Sequence, residues 1–118
     1  MQRRYRLQRP ADFEQLRKHG RRWHHPLALL IVHQTNLPIS RFAFSAGKRV
    51  GKAVVRNRAK RLLREAVRHQ LTVISSGWDC LFVVRPATVQ ATYAEVEEAV
   101  VQLLIRANVI DHKEKGVE

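Results

Sequence analysis

Between Gly51 and Arg68 the chain reads GKAVVRNRAKRLLREAVR, and Arg56, Asn57, Arg58, Lys60, Arg61, Arg64 and Arg68 crowd into it with Glu65 as the only acid. A guanidinium carries a planar fork of donors that grips two phosphate oxygens at once, while an ammonium acts as a compact point charge. Asn57 adds a neutral donor and acceptor suited to a base edge or a ribose hydroxyl. Just upstream, the loop AGKRVGK contributes Lys48, Arg49 and Lys52, and its Gly47 and Gly51 would let the backbone approach a ligand closely. The chemistry these groups share is the binding of a polyanion.

On a helix of about 100° per residue, Val55, Ala59, Leu62, Leu63, Ala66 and Val67 fall within one arc of roughly 140°. Asn57, Arg58, Lys60, Arg61, Arg64 and Arg68 fill much of the opposite side, with Arg56 at the boundary. A solvated helix normally alternates Glu with Lys at four-residue spacing, gaining a few tenths of a kcal/mol per pair. Here Arg56 and Lys60, Lys60 and Arg64, and Arg64 and Arg68 are like-charge neighbours. An external anion is expected to offset that repulsion, with Glu65 balancing Arg61, Arg64 and Arg68 internally.

The elements that must hold this helix can be read around it. Pro10 opens a first helix in which Asp12 and Glu14 suit the positive end, and Gly20 ends it. LALLIVH, residues 27–33, RFAFSA, residues 41–46, and WDCLFVV, residues 78–84, read as strands. The second of these alternates, with Phe42, Phe44 and Ala46 on one side and Arg41, Ala43 and Ser45 on the other. The second side is small and polar, which leaves room for something to lie on it. From Tyr93, the residues Val96, Val100, Leu103, Leu104 and Ala107 recur at helical spacing. These elements predict an α+β fold with one mostly antiparallel sheet. Residues 1–118 are expected to form a single RNA-binding domain, with a basic arm at 1–8 and a flexible tail at 108–118.

Charge and composition narrow the partner. The formal net charge is +12, and 18 of the 22 Lys and Arg but only three of the ten acids lie among the first 68 residues. One face is therefore expected to be basic, and nucleic acid is its first expected partner. The longest apolar run, LALLIV, is far shorter than the roughly 20 residues a membrane helix needs. Neither that run nor the start MQRRYRLQRP suggests a membrane or secretory segment, and a cytoplasmic location is expected. Cys80, the lone cysteine, sits in an apolar run and reads as a buried structural thiol.

The run from Lys48 to Glu65, KRVGKAVVRNRAKRLLRE, closely resembles the signature of the bacterial ribonuclease P protein component. FAFSAGKR before it and ADFEQLRKHG in the first helix extend the likeness, which covers about Leu7 to Arg68, with weaker support from Arg85-Pro86. The resemblance implies a compact α-β-β-β-α-β-α sandwich with a left-handed β-α-β crossover. It implies a protein subunit that pairs with a catalytic RNA, which with Mg²⁺ removes the 5′ leader of precursor tRNA. No cofactor is then expected on the chain itself, since the Mg²⁺ belongs to the RNA. By the same resemblance Arg56, Asn57, Arg58, Lys60, Arg61, Arg64 and Arg68 contact the catalytic RNA. Phe13, Arg17, Ile31, Ser45, Lys48, Arg49 and Lys52 serve a cleft for the leader. Arg17 and Ile31 stand where many members of the family carry aromatics.

Two other readings compete. His24-His25 could serve a stand-alone ribonuclease, although no Cys or acid accompanies the pair at metal-ligand spacing. The basic surface could also belong to a ribosomal or general nucleic-acid-binding protein.

Overall fold

A computed structural model describes residues 2–110. The elements run α1 (Pro10–His19), β1 (Arg21–His24), β2 (Ala28–Gln34), β3 (Arg41–Ser45), α2 (Ala53–Arg68), β4 (Trp78–Val84) and α3 (Tyr93–Arg106), with short 3-10 turns between some of them. The sheet order is β1-β2-β4-β3. β1 and β4 each lie antiparallel to β2, and β3 lies parallel to β4. Two parallel neighbours require a crossover, and α2 supplies it. The fold is thus the α+β arrangement with a mostly antiparallel sheet that the residue pattern predicts.

Register assigns each side chain to a face. Phe42 aligns with Cys80 and Val32, and Phe44 with Phe82, Leu30 and Trp23. These rows meet α2 and α3 in the larger core, where Ala59, Leu63, Ala66 and Val67 of α2 and Val96, Val100, Leu103 and Leu104 of α3 are buried. The opposite rows, Ala43-Leu81-Ile31 and Ser45-Val83-Leu29, form the other face. α1 covers part of it through Leu16, which packs with Leu7 and Ile31 in a smaller cluster. A Cβ at Gly20 would stand 2.4 Å from the Leu16 carbonyl oxygen and 2.6 Å from an Ile31 methyl. Glycine is there because the end of α1 presses onto β2.

An ion triad fastens α1 to the sheet. Arg41 on β3 donates to both carboxylate oxygens of Asp79 on β4, at 2.9 and 2.8 Å, and lies 3.2 Å from Asp12 of α1. Asp79 is 3% exposed. The Asp79 hydrogen bond holds the Arg41 guanidinium above its ordinary pKa, against the opposing effect of burial. In the sequence these residues lie far apart, and Asp12 reads there only as a helix-start acid.

Both ends of the described chain are held by apolar anchors. The basic arm is docked: Arg6 bridges to Phe42, the Leu7 amide donates to the Phe42 carbonyl at 2.8 Å, and the Leu7 side chain is buried. The tail is anchored at its start, because Val109 and Ile110 are buried and the Ser75 amide donates to the Val109 carbonyl at 2.8 Å. Ile110 also bridges to Ile74. Two apolar side chains before the charged run 111–118 suffice to hold that turn; residues 111–118 themselves lie outside the described residues. The first strand, Arg21–His24, carries no apolar run in the sequence, because its side chains are mostly exposed; it is a polar edge strand.

Cys80 is fully buried, and burial pushes its thiol far above the ordinary range. Its reaction with a thiol reagent is therefore expected to wait on opening of the fold, so that urea accelerates it while added salt does not. Arg41→Ala leaves the buried Asp79 carboxylate without its main partner, and urea unfolding is expected to show a loss of about 3 kcal/mol.

Candidate nucleic-acid interface

α2 begins without the usual electrostatic help. Its N-cap is Lys52, no side chain caps the first turn, and that turn contains no acid. α3 by contrast opens on a capping box between Thr92 and Glu95. The first turn of a helix exposes unpaired N–H donors at the positive end of its dipole. Lys48, Arg49, Lys52 and Arg56 add full positive charge beside that end, so this corner of the molecule favours an anion. Gly51 joins the 3-10 turn Lys48–Val50 to α2 at φ 146°, a conformation that side chains rarely adopt. Its glycine is thus a backbone requirement, whereas a Cβ at Gly47 would meet nothing within 4 Å.

Along α2, Asn57, Arg58 and Arg61 are exposed, and Arg56 and Lys60 are half-buried at the flanks. None of the four cations has a carboxylate partner in the described ion pairs. Arg68 differs. It donates to both oxygens of Glu65, at 3.1 and 2.6 Å, and this pairing holds the Glu65 carboxyl below its usual range. Glu65 therefore balances Arg68 and the adjacent His69, not Arg61 or Arg64. The far end of the helix is further engaged by α3, where the Tyr93 hydroxyl meets His69 Nδ1 at 2.7 Å.

Arg64 turns away from the others. Its guanidinium lies over the Phe44 ring at 5.4 Å from the centroid. There it helps line a cleft of about 860 Å³, with Arg3, Arg6, Gln8, Phe13 and Phe44 among the other walls. The cleft runs along the edge of β3 between the docked arm, α1 and α2. A second groove, of about 390 Å³, lies where β3 and β4 end, between Leu29, Val83, Lys48, Arg49, Arg85 and Pro86. Ser45 is exposed on β3 between the two, on the same side as Ala43.

The predicted cleft residues thus divide. Phe13 belongs to the first hollow, Lys48 and Arg49 to the second, and Lys52 is exposed beside the start of α2. Ile31 is not on a cleft wall: it is 4% exposed beneath α1. Arg17 is exposed and forms an ion pair with Glu14. Arg3, Arg6 and Arg85 also line these hollows, and they are not among the residues the sequence singles out. Their only signal was charge, and nothing in the sequence says which strand edge an arm will follow.

His24 and His25 serve the β1–β2 hairpin. His25 Nδ1 accepts from the Leu27 amide at 3.0 Å, and His24 Nδ1 accepts from Arg85 at 2.8 Å. They present no paired acid and base. Among the described residues, no three His, Cys, Asp or Glu side chains gather where they could hold a metal ion.

The family model described as Ribonuclease P matches residues 1–108. The ribonuclease P protein component of Roseiflexus castenholzii is 40% identical over 111 residues, covering 93% of this chain and 91% of that protein. That of Herpetosiphon aurantiacus is 39% identical over 115 residues, covering 98% and 94%. The RNase P protein of Thermotoga maritima superposes with a TM-score of 0.78 at 27% identity, covering 86% of this chain and 96% of that one. The Staphylococcus aureus RNase P protein superposes with a TM-score of 0.82 at 24% identity, covering 91% and 98%.

Since Arg58 and Arg61 are exposed and have no ion-pair partner among the described residues, Arg58→Ala with Arg61→Ala is expected to change thermal stability by no more than about 0.5 kcal/mol per site. The same variant should elute from a heparin column at distinctly lower salt than the unsubstituted chain.

Proposed function

This chain belongs to the bacterial ribonuclease P protein family, and from that premise we propose that it binds the catalytic RNA of ribonuclease P through α2 and holds the 5′ leader of precursor tRNA against the sheet. Family membership makes it a subunit of a ribonuclease that processes tRNA. The finer assignment rests chiefly on one observation: Arg56, Arg58, Lys60 and Arg61 lie on the outer side and flanks of a helix whose other side is buried, with no carboxylate partner among the described residues. RNA phosphates supply that neutralisation, and Asn57 among the cations can read a ribose hydroxyl or a base edge. Lys48, Arg49 and Lys52 extend the cationic surface from the helix start toward the groove.

The leader is assigned to the side of β3 that carries Ala43 and Ser45. Phe13 offers a ring for a base to stack on, a contact typical of single-stranded RNA recognition. Arg64 over Phe44 and the arm residue Arg3 place positive charge around the same cleft. With Arg17 engaged by Glu14 and Ile31 buried, Phe13 is the ring that α1 offers, and several guanidiniums share the holding. Leader binding here is consequently more electrostatic than a three-aromatic cleft would be. Arg68, already neutralised by Glu65, contributes less to RNA binding than Arg58 or Arg61.

In this reading the Mg²⁺-dependent cleavage belongs to the RNA, in the cytoplasm, and the chain acts by screening repulsion between two polyanions. No helix among the described residues is long and apolar enough to cross a membrane.

Reconstitution tests the proposal. Added to a bacterial catalytic RNA at low Mg²⁺, the chain is expected to accelerate cleavage of precursor tRNA, and Arg58→Ala with Arg61→Ala should remove most of that gain. Phe13→Ala should weaken binding of precursor tRNA by roughly 1–3 kcal/mol, the worth of one stacked base, and leave mature tRNA affinity unchanged. Absence of any acceleration by the unsubstituted chain would overturn the reading. Cleavage by the protein alone, abolished by His24→Ala, would replace it with the stand-alone nuclease.

A further inference from the structure

The functional reading leaves unused a second cationic surface, on the outer edge of the sheet at β1. Arg21 and Arg106 each place a guanidinium 5.9 Å from the centre of the Trp23 ring. Arg106, at the end of α3, is fixed there by donating to the His24 carbonyl at 2.7 Å. Arg22, one residue on from Arg21, points to the other face of the same strand, and Arg21, Arg22 and Arg106 are all exposed. None of the three forms an ion pair with a carboxylate of the described residues. Elsewhere the described arginines of α1 and of the end of α2 do find acids: Arg17 pairs with Glu14 and Arg68 with Glu65.

The fold separates this surface from α2. β1 and β3 are the two edges of the sheet, three strand spacings apart, which is about 14 Å. α3 packs against both α2 and β1 and so lies between the two cationic surfaces. Its own surface carries Glu95, Glu97 and Glu98. A phosphate chain running straight from α2 to β1 would have to pass over α3, whose first turns carry these carboxylates. Two separate stretches of backbone, one on each side of α3, meet no such repulsion. Arg21, Trp23 and Arg106 also lie on the sheet face that α2 covers, opposite the face of Ala43 and Ser45 assigned to the leader.

We propose that the β1 edge is a second RNA-contact surface, in which Arg21 and Arg106 beside Trp23, together with Arg22 on the other side of the same edge strand, hold backbone phosphates of a segment of the catalytic RNA different from the one facing α2. The chain then ties two parts of the ribozyme together across α3. This rests on the subunit reading above, and the test separates the two.

Binding of the full chain to catalytic RNA is measured across a salt series for the unsubstituted chain, Arg21→Ser with Arg22→Ser, Arg21→Lys with Arg22→Lys, and Arg58→Ala with Arg61→Ala. Circular dichroism melts confirm that each is folded. Loss of two phosphate contacts should make the slope of log affinity against log salt shallower by roughly 1.4–1.8. The serine variant is expected to show that change and the lysine variant to recover most of it. Hydroxyl-radical footprints should then lose protection in one RNA segment for the serine variant and in another for the α2 variant. An unchanged slope for the serine variant, with a shallower one for the α2 variant, would overturn this inference and leave the subunit reading standing. No change for either variant would overturn both. Loss of the same footprint by both variants, or a slope change seen only when precursor tRNA binds the assembled complex, would also defeat the assignment of a second ribozyme segment.

Discussion

Burial of one stripe of α2 against the sheet is the constraint on which the molecule is built. Ala59, Leu63, Ala66 and Val67 are each no more than 1% exposed, and burying a Leu or Val contributes about 1.5–3 kcal/mol. Each like-charge neighbour pair on the outer side costs only a few tenths of a kcal/mol. Packing therefore wins, and the helix forms with its cations facing out before any RNA is present. The cationic surface is preorganised by the core beneath it, and in the proposed reading the repulsion it carries becomes part of the attraction for a polyanion.

The parallel pairing of β3 with β4 fixes where that surface points. Because α2 is the connection between them, it must cross one face of the sheet, and α3 completes the cover on that side. The other face is left to α1, which covers only part of it. Arg41, held between Asp79 and Asp12, ties α1 to the two strands that α2 connects. The same arrangement leaves the side of β3 that carries Ala43 and Ser45 open between the arm, α1 and the Lys48–Val50 turn. One face is thus given to the core, and the other is covered only in part, by a single helix.

Much of this was legible in the sequence, and for identifiable reasons. The stripe of α2 and the apolar runs of β2 and β4 are periodic, and periodicity survives without knowledge of the fold. α2, Ala53–Arg68, spans the whole of the expected stripe from Val55 to Val67. β1 was not legible, since an exposed edge strand of Arg21, Arg22, Trp23 and His24 carries no alternation. Its partner β2 creates it by offering a free edge. The anchoring of the N-terminal arm and of Val109 and Ile110 was not legible for a related reason: Leu7, Val109 and Ile110 are single apolar anchors in polar surroundings, and a composition reading averages them away.

The sequence alone determined that the chain carries a cationic amphipathic helix inside an α+β fold, because charge type and helical period are local properties. Only the tertiary structure decided which cations remain available. It neutralised Arg68 with Glu65, tucked Arg64 over Phe44, buried Ile31 under α1, and set Arg41 between two acids from distant segments. Pairing and burial depend on distances across the fold, and those distances exist only after the sheet has brought the segments together.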